Sequence, residues 1–245
     1  MELKRLNKAI SETGYCSRRA ADKLIENGSV KVNGKAVGLG VKVSPSDSIC
    51  IHGQIITLDV EPIYLAFNKP IGITCTTDTK IRQNIISYIN YPERIFPIGR
   101  LDKPSEGLIF MTNDGDIVNK ILRSKNNHEK EYLVTVSKKI TNSFIQKMAS
   151  GVPVLDTVSD KCKVTKVNDF TFNITLTQGL NRQIRRMCMF LGYEVTKLKR
   201  IRIMNIELGN LKPGSYRNFT RKELDQINRS ISGSSKTEEA SKKRR

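Results

Sequence analysis

The chain has 245 residues, and its 42 Lys and Arg against 24 Asp and Glu give a formal charge of +18. Hydrophobic residues at 38% and charged residues at 27% exclude wholesale disorder and describe a globular chain long enough for one large domain or two unequal ones. The longest apolar runs, residues 63–67 and 187–191, fall far short of the ~20 residues a membrane-spanning helix needs.

The first segment lacks the apolar stretch of a secretory signal, so a cytoplasmic location is expected. Leu3, Leu6 and Ile10 share one face of a first helix that Gly14 stops. Ser17 is placed to cap a second, whose face is Ala20, Ala21, Leu24 and Ile25 before Gly28. Asn33-Gly34 is a strong hairpin signal, and a second strand pair is expected over residues 47–58 around His52-Gly53. A boundary is expected near Pro62. Strands then follow at residues 63–68, 95–98, 107–112, 131–137, 162–167 and 170–177. In the last, Phe170, Phe172, Ile174 and Leu176 alternate with Thr or Asn, the pattern of a strand buried on one face. Helices are expected at 116–123, at 141–149 behind a Thr141 cap, and at 181–191 with Asn181 as N-cap. Strands and helices mix without strict βαβ alternation, so the fold class is α+β. Residues 225–245 read as a basic tail, disordered from Ser230 onward.

Net charge is +3 over residues 1–60, +12 over 61–224 and +3 over 225–245. The surplus therefore belongs to the central part, and nucleic acid is the expected partner. Five Cys at 16, 50, 75, 162 and 188 are odd in number and widely spaced, which fits reduced thiols. No CxxC pair starts a zinc site. His52 and His128, the two imidazoles, read as turn or loop residues, so neither a metal cluster nor a Ser-His-Asp triad is expected.

Three places could carry chemistry. Asp102 lies in a connection between two apolar strands, flanked by Arg100 and Lys103, a setting that suits a carboxylate nucleophile. The alternative is a turn aspartate bonded to its own backbone. Arg182, Arg185 and Arg186 fall at i, i+3 and i+4 where a helix begins. Cations there oppose the helix dipole, so either a phosphate or carboxylate offsets them or they form a solvated basic face. Lys197, Lys199, Arg200 and Arg202 extend that basic surface. Tyr132 shares a strand face with Val134 and Val136, as a core residue or, in a nucleic-acid enzyme, as a ring that stacks on an extruded base.

In this order, Asn68-Lys69-Pro70-Ile71-Gly72, Gly99-Arg100-Leu101-Asp102 with Gly107-Leu108, Lys130-Glu131-Tyr132 and Asn181-Arg182-Gln183-Ile184-Arg185-Arg186-Met187 resemble the signature blocks of the RsuA/RluB/RluE/RluF family of bacterial ribosomal RNA pseudouridine synthases. The stretch from Arg5-Leu6-Asn7-Lys8 through Cys16, Arg18, Arg19, Ala20 and Ala21 to Asn33-Gly34-Lys35 resembles the S4 RNA-binding domain that precedes the catalytic domain in that family.

The resemblance implies an S4-like domain over residues 1–60 and a synthase domain over 61–224, built on a mixed, mainly antiparallel sheet with flanking helices. It implies Asp102 as the catalytic aspartate, Arg185 as the arginine that pairs with it, and Tyr132 as the ring stacked on the target uracil, with a further role as proton shuttle. Arg100 would help to open the base stack, and Lys103, Arg182 and Arg186 would contact RNA. Arg5, Lys8, Arg18, Arg19 and Lys23 would dock RNA on the S4 unit. Pro104 departs from the family pattern, which often has Asp or another polar residue there. Proline stiffens the loop and leaves Asp102 untouched.

The implied reaction breaks the N1–C1′ bond of uridine, turns the uracil and rejoins it through C5, with no cofactor and no metal. Asp102 could attack ribose C1′ or uracil C6, or assist elimination to a glycal. The implied substrate is 23S rRNA or its ribosomal precursor, in the peptidyl-transferase region, with a tRNA anticodon uridine open as a second substrate. The implied enzyme is a monomer with no membrane contact. The alternative is an S4-type RNA-binding or ribosome-assembly factor without catalysis.

Overall fold

In the computed structural model, which describes residues 3–57, 60–122 and 127–233, the chain divides into two units. One comprises Met1–Ile63, Tyr91–Ile95 and Asn113–Gly115, and the other Tyr64–Asn90, Phe96–Thr112 and Asp116–Arg245.

The first unit runs β1 (Lys4–Arg5), α1 (Leu6–Glu12), α2 (Arg18–Glu26), β2 (Val30–Val32), β3 (Lys35–Ala36), β4 (Lys42–Val43), β5 (Ile49–Ile51) and β6 (Gln54–Ile56). Ser17 Oγ accepts the Ala20 amide at 3.2 Å and so starts α2 where the sequence places it. The first helix starts later than expected. Lys4 and Arg5 pair with β4, and Leu3 is left exposed, outside the helix face. Both expected hairpins are present. Asn33, Gly34, His52 and Gly53 all take positive φ, the conformation a tight two-residue turn needs, in a sheet ordered β3-β2-β5-β6. Leu6, Ile10, Ala21 and Ile25 pack on Val30, Val43, Ile49 and Ile51 to form this unit's core.

The second unit contains β7 (Tyr64–Lys69), α3 (Ile85–Ile89), β8 (Phe96–Ile98), β9 (Glu106–Thr112), α4 (Gly115–Leu122), β10 (Lys130–Val136), α5 (Asn142–Ser150), β11 (Pro153–Val154), β12 (Thr157–Val158), β13 (Lys163–Lys166), β14 (Thr171–Leu176), α6 (Gln183–Phe190), β15 (Val195–Ile203), β16 (Ile206–Glu207), β17 (Tyr216–Asn218) and α7 (Arg221–Ile231). Nine strands form one sheet in the order β13-β14-β10-β15-β9-β7-β17, with β16 on β15 and β8 on β9. All pairs in it are antiparallel except β15 with β9, where Lys199 opposes Glu106 and Arg200 opposes Gly107. This parallel junction divides the sheet into two halves, each with its own core. Phe144 and Met148 of α5 and Ile184 and Met187 of α6 cover Val134, Phe172 and Ile174 on one side. Ile117 and Ile121 of α4 and Ile227 and Ile231 of α7 cover Phe110, Leu108 and Ile206 on the other.

Three expectations need correction. Phe170 precedes β14 and is exposed, so the buried stripe is Phe172, Ile174 and Leu176. Helix α6 begins at Gln183, with Arg182 at its N-cap position in the left-handed region (φ 50°); Asn181 is therefore not the cap. The tail does not begin at 225. Thr220 and Glu223 close a reciprocal capping box, and Ile227 and Ile231, one turn apart, are buried, so α7 continues to Ile231. Residues 234–245 of the expected tail, and 123–126, lie outside the described residues.

Candidate active site

The loop between β8 and β9 is closed by one internal turn and pinned from outside at two points. Ser105 N donates to Asp102 O at 2.9 Å, Gly72 N to Lys103 O at 2.9 Å, and Leu101 N to Cys75 Sγ at 3.4 Å. Gly72 belongs to the Asn68 to Gly72 block, which thereby supports the Asp102 loop. Lys69, opening that block's turn, is fully buried. Its Nζ donates to Pro70 O at 2.8 Å and Ile73 O at 2.9 Å, and burial holds its pKa below the usual lysine value. Nothing in the sequence around this lysine marks it as an internal brace, since its partners are the carbonyls of its own turn.

The Asp102 side chain is about one-third exposed (35%) and accepts no hydrogen bond from its own loop among the described residues, contrary to the turn-aspartate reading. It borders a cleft of about 720 Å³. Tyr132, Leu176, Ile184 and Leu198 give that cleft apolar walls, Arg100 also lines it, and Arg182 stands at Asp102. Tyr132 reaches it because Lys130, Tyr132, Val134 and Val136 alternate onto the helix-covered face of β10.

The ion pair to Asp102 comes from Arg182, whose Nη1 lies 3.6 Å from Oδ2. This corrects the expectation that Arg185 supplies it. Arg182, held in the left-handed conformation just ahead of α6, projects toward the loop. Arg185, inside the helix, instead donates from Nη1 to Val195 O at 3.0 Å and from Nη2 to Pro104 O at 3.2 Å and Ser105 Oγ at 3.3 Å. It ties α6 to the far end of the Asp102 loop, and burial followed by the neighbouring Arg182 lowers its pKa from the usual arginine value. Arg186 folds back onto Asn181 O at 3.1 Å. The three arginines therefore point three ways instead of forming one cluster. Lys103 is exposed and does not line the cleft.

The basic run after α6 is also not one surface. Lys197 and Lys199 lie opposite Thr135 and Leu133 on the uncovered face of the sheet. Arg202 is engaged by Glu131 and Glu129, both at 2.9 Å. A register shift between Glu131 and Tyr132 turns Arg200 inward opposite Tyr132, where it is 4% exposed with its Cζ 5.9 Å from the ring centroid. His128 lies in a loop as expected, but buried, and burial lowers its pKa. In the first unit, Arg5, Arg18, Arg19 and Lys23 are exposed, while Lys8 pairs with Glu12 at 3.4 Å.

Residues 63–189, which include the aspartate loop and the tyrosine and arginines around it, match the RNA pseudouridylate synthase family model, and residues 4–49 match the S4 domain model. The chain belongs to the RNA pseudouridylate synthase family and is an isomerase with an N-terminal S4 domain. It is 55% identical over 237 residues to the dual-specificity RNA pseudouridine synthase RluF of Salmonella typhi, covering 94% of this chain and 81% of the relative. It is 37% identical over 234 residues to ribosomal large subunit pseudouridine synthase B of Bacillus subtilis, covering 92% and 96%. A solved crystal structure of a pseudouridylate synthase superposes with a TM-score of 0.67 at 31% identity, covering 91% of this chain and 99% of that one.

Proposed function

We propose that this enzyme isomerises a uridine of 23S rRNA in the peptidyl-transferase region, with a tRNA anticodon uridine as a second substrate, and that Asp102 is the reacting carboxylate. The observation that carries the site assignment is the Asp102 side chain. It is accessible, unbound by its own loop and placed on a cleft with apolar walls. A uracil flipped out of the RNA stacks there on Tyr132, while Arg100 occupies the gap left in the base stack. Arg182 orients the carboxylate and Arg185 fixes the loop that carries it. The dual-specificity name of the RluF relatives supports two RNA classes as substrates. Arg5, Arg18, Arg19 and Lys23 of the S4 unit supply backbone affinity, and the enzyme acts as a cytoplasmic monomer.

The test is tritium release from [5-³H]uridine-labelled 23S rRNA and tRNA by the wild-type enzyme and by Asp102→Asn. The expected result is release by the wild type from both RNAs and none by the variant. Wild-type turnover by Asp102→Asn would overturn the role of Asp102, and a tRNA that keeps its tritium would overturn the second substrate.

A further inference from the structure

Two buried cations line the cleft at Tyr132, and the reaction steps assigned above to Asp102, Tyr132, Arg182 and Arg185 leave both without a task. Lys130 opens β10, two residues before Tyr132 on the same face, and is 7% exposed. Its Nζ donates to His128 O at 3.0 Å and Thr177 O at 3.3 Å, which engages two of the three ammonium protons. Arg200 is 4% exposed. Its Nε donates to Leu108 O at 2.6 Å, and its Nη2 is buried with no hydrogen-bond partner. Among the described residues neither cation is ion-paired to a carboxylate.

Burying two positive charges side by side without a counter-ion is costly, and an apolar pair of the same size would avoid that cost. Burial and then Arg200 push the Lys130 amine down to about 8. Such an arrangement is expected where a negative charge arrives during function. A backbone phosphate cannot be that charge, because the RNA strand continues on both sides of it and both cations are more than nine-tenths buried. A flat ring entering between apolar walls can be.

We propose that Lys130 and Arg200 hold the uracil as an anion between cleavage of its N1–C1′ bond and formation of the C5–C1′ bond. The inference rests on the reading that the flipped base occupies this cleft. When the N1–C1′ bond breaks, its electron pair stays with the ring and spreads over N1, O2, O4 and C5, and leaves C1′ as an electron-deficient centre that the Asp102 carboxylate balances until C5 attacks it. The same electrons form the C5–C1′ bond after the ring turns. The C5 proton then leaves, N1 takes up a proton, and no oxidant, reductant or cofactor enters. Lys130 and Arg200, which both line the cleft, stabilise the charge through their own positive charges in both orientations of the ring, since O2 and O4 exchange places about the turning axis. This stabilisation is absent for neutral uridine and therefore acts on the rate.

The test compares 23S rRNA transcripts carrying uridine or 5-fluorouridine, scored by single-turnover loss of the N-glycoside after digestion to nucleosides. Fluorine makes the departing anion more stable in its own right, so protein stabilisation matters less. Lys130→Met and Arg200→Met are expected to lose roughly 10²-fold with uridine but less than about tenfold with 5-fluorouridine. Arg200→Lys, which keeps the charge, is expected to hold the wild-type ratio of the two rates. Equal losses on both RNAs, the pattern of general damage to the cleft, would overturn the proposal, as would no loss on either. Asp102→Asn run alongside separates the two readings. Turnover by that variant overturns the site assignment, whereas an unchanged rate ratio with an inactive Asp102→Asn overturns the role of the two cations alone.

Discussion

Gly107 and Arg200 face each other across the single parallel junction of the sheet, and a Cβ on Gly107 would collide with the Arg200 carbonyl oxygen. Gly107 also has φ +107°, where a side chain is strained even in open space. This one contact sets how closely β9, which follows the Asp102 loop, approaches β15, which carries Arg200 into the cleft.

Gly107→Ala must therefore push the strands apart or distort the loop. The expected cost is about 3 kcal/mol or more from steric overlap and backbone strain combined, measured as a lower urea midpoint, with turnover lost even where the variant remains folded. A neutral result would mean that the junction is looser than the backbone distances imply.

Arg182 and Arg186, four residues apart, have different partners, and their substitutions should separate. Arg182→Asn removes the charge at Asp102 and retains a residue that tolerates the left-handed backbone. Turnover is expected to fall roughly tenfold or more, equivalent to ~1.4 kcal/mol. Arg186→Gln loses only its contacts to Asn181 and is expected to change turnover less than about threefold. Single-turnover tritium release compares the two directly.

Arg185 has a different signature, because it braces instead of pairing. Arg185→Met leaves Val195 O, Pro104 O and Ser105 Oγ without their donor, so stability is expected to fall by about 1–3 kcal/mol together with turnover. Arg185→Lys restores one donor and should recover part of both. Urea unfolding of the two variants, set against their rates, distinguishes a brace from a direct partner of Asp102, for which activity would fall with stability intact.

Local signals in the sequence carried much of this structure. Asn33-Gly34 and His52-Gly53 need no distant partner to turn, the Thr141 cap acts within its own helix, and the alternation from Phe172 to Leu176 states its own burial. The capping box of Thr220 and Glu223 and the Ile227 to Ile231 spacing were equally local, but the charged composition around them masked the helix. The partners of Arg182 and Arg185 could not be read in this way. They depend on one left-handed residue and on a loop some 80 positions away in sequence. The inward turn of Arg200 likewise depends on a register shift between β10 and β15, so that within Lys197 to Arg202 it looks like one more surface cation.

Lys130 offers a measurement that needs no RNA. Its amine is held at about 8 in the folded chain against 10.5 ordinarily, first by burial and then by Arg200. The unfolded chain therefore binds this proton more tightly. Below about pH 8 both states are charged and the folded state bears the full penalty; between about 8 and 10.5 the folded state has lost its proton while the unfolded state has not, and stability rises with pH. The full relief is about 3 kcal/mol, since each pH unit is worth ~1.4 kcal/mol. Lys130→Met has no proton to lose. The stability of the wild type relative to this variant should climb as pH is raised from 7 to 10, by about 1–3 kcal/mol in urea unfolding. A difference that stays flat across that window would show that the amine keeps its ordinary proton affinity and that the pair with Arg200 is not under electrostatic strain.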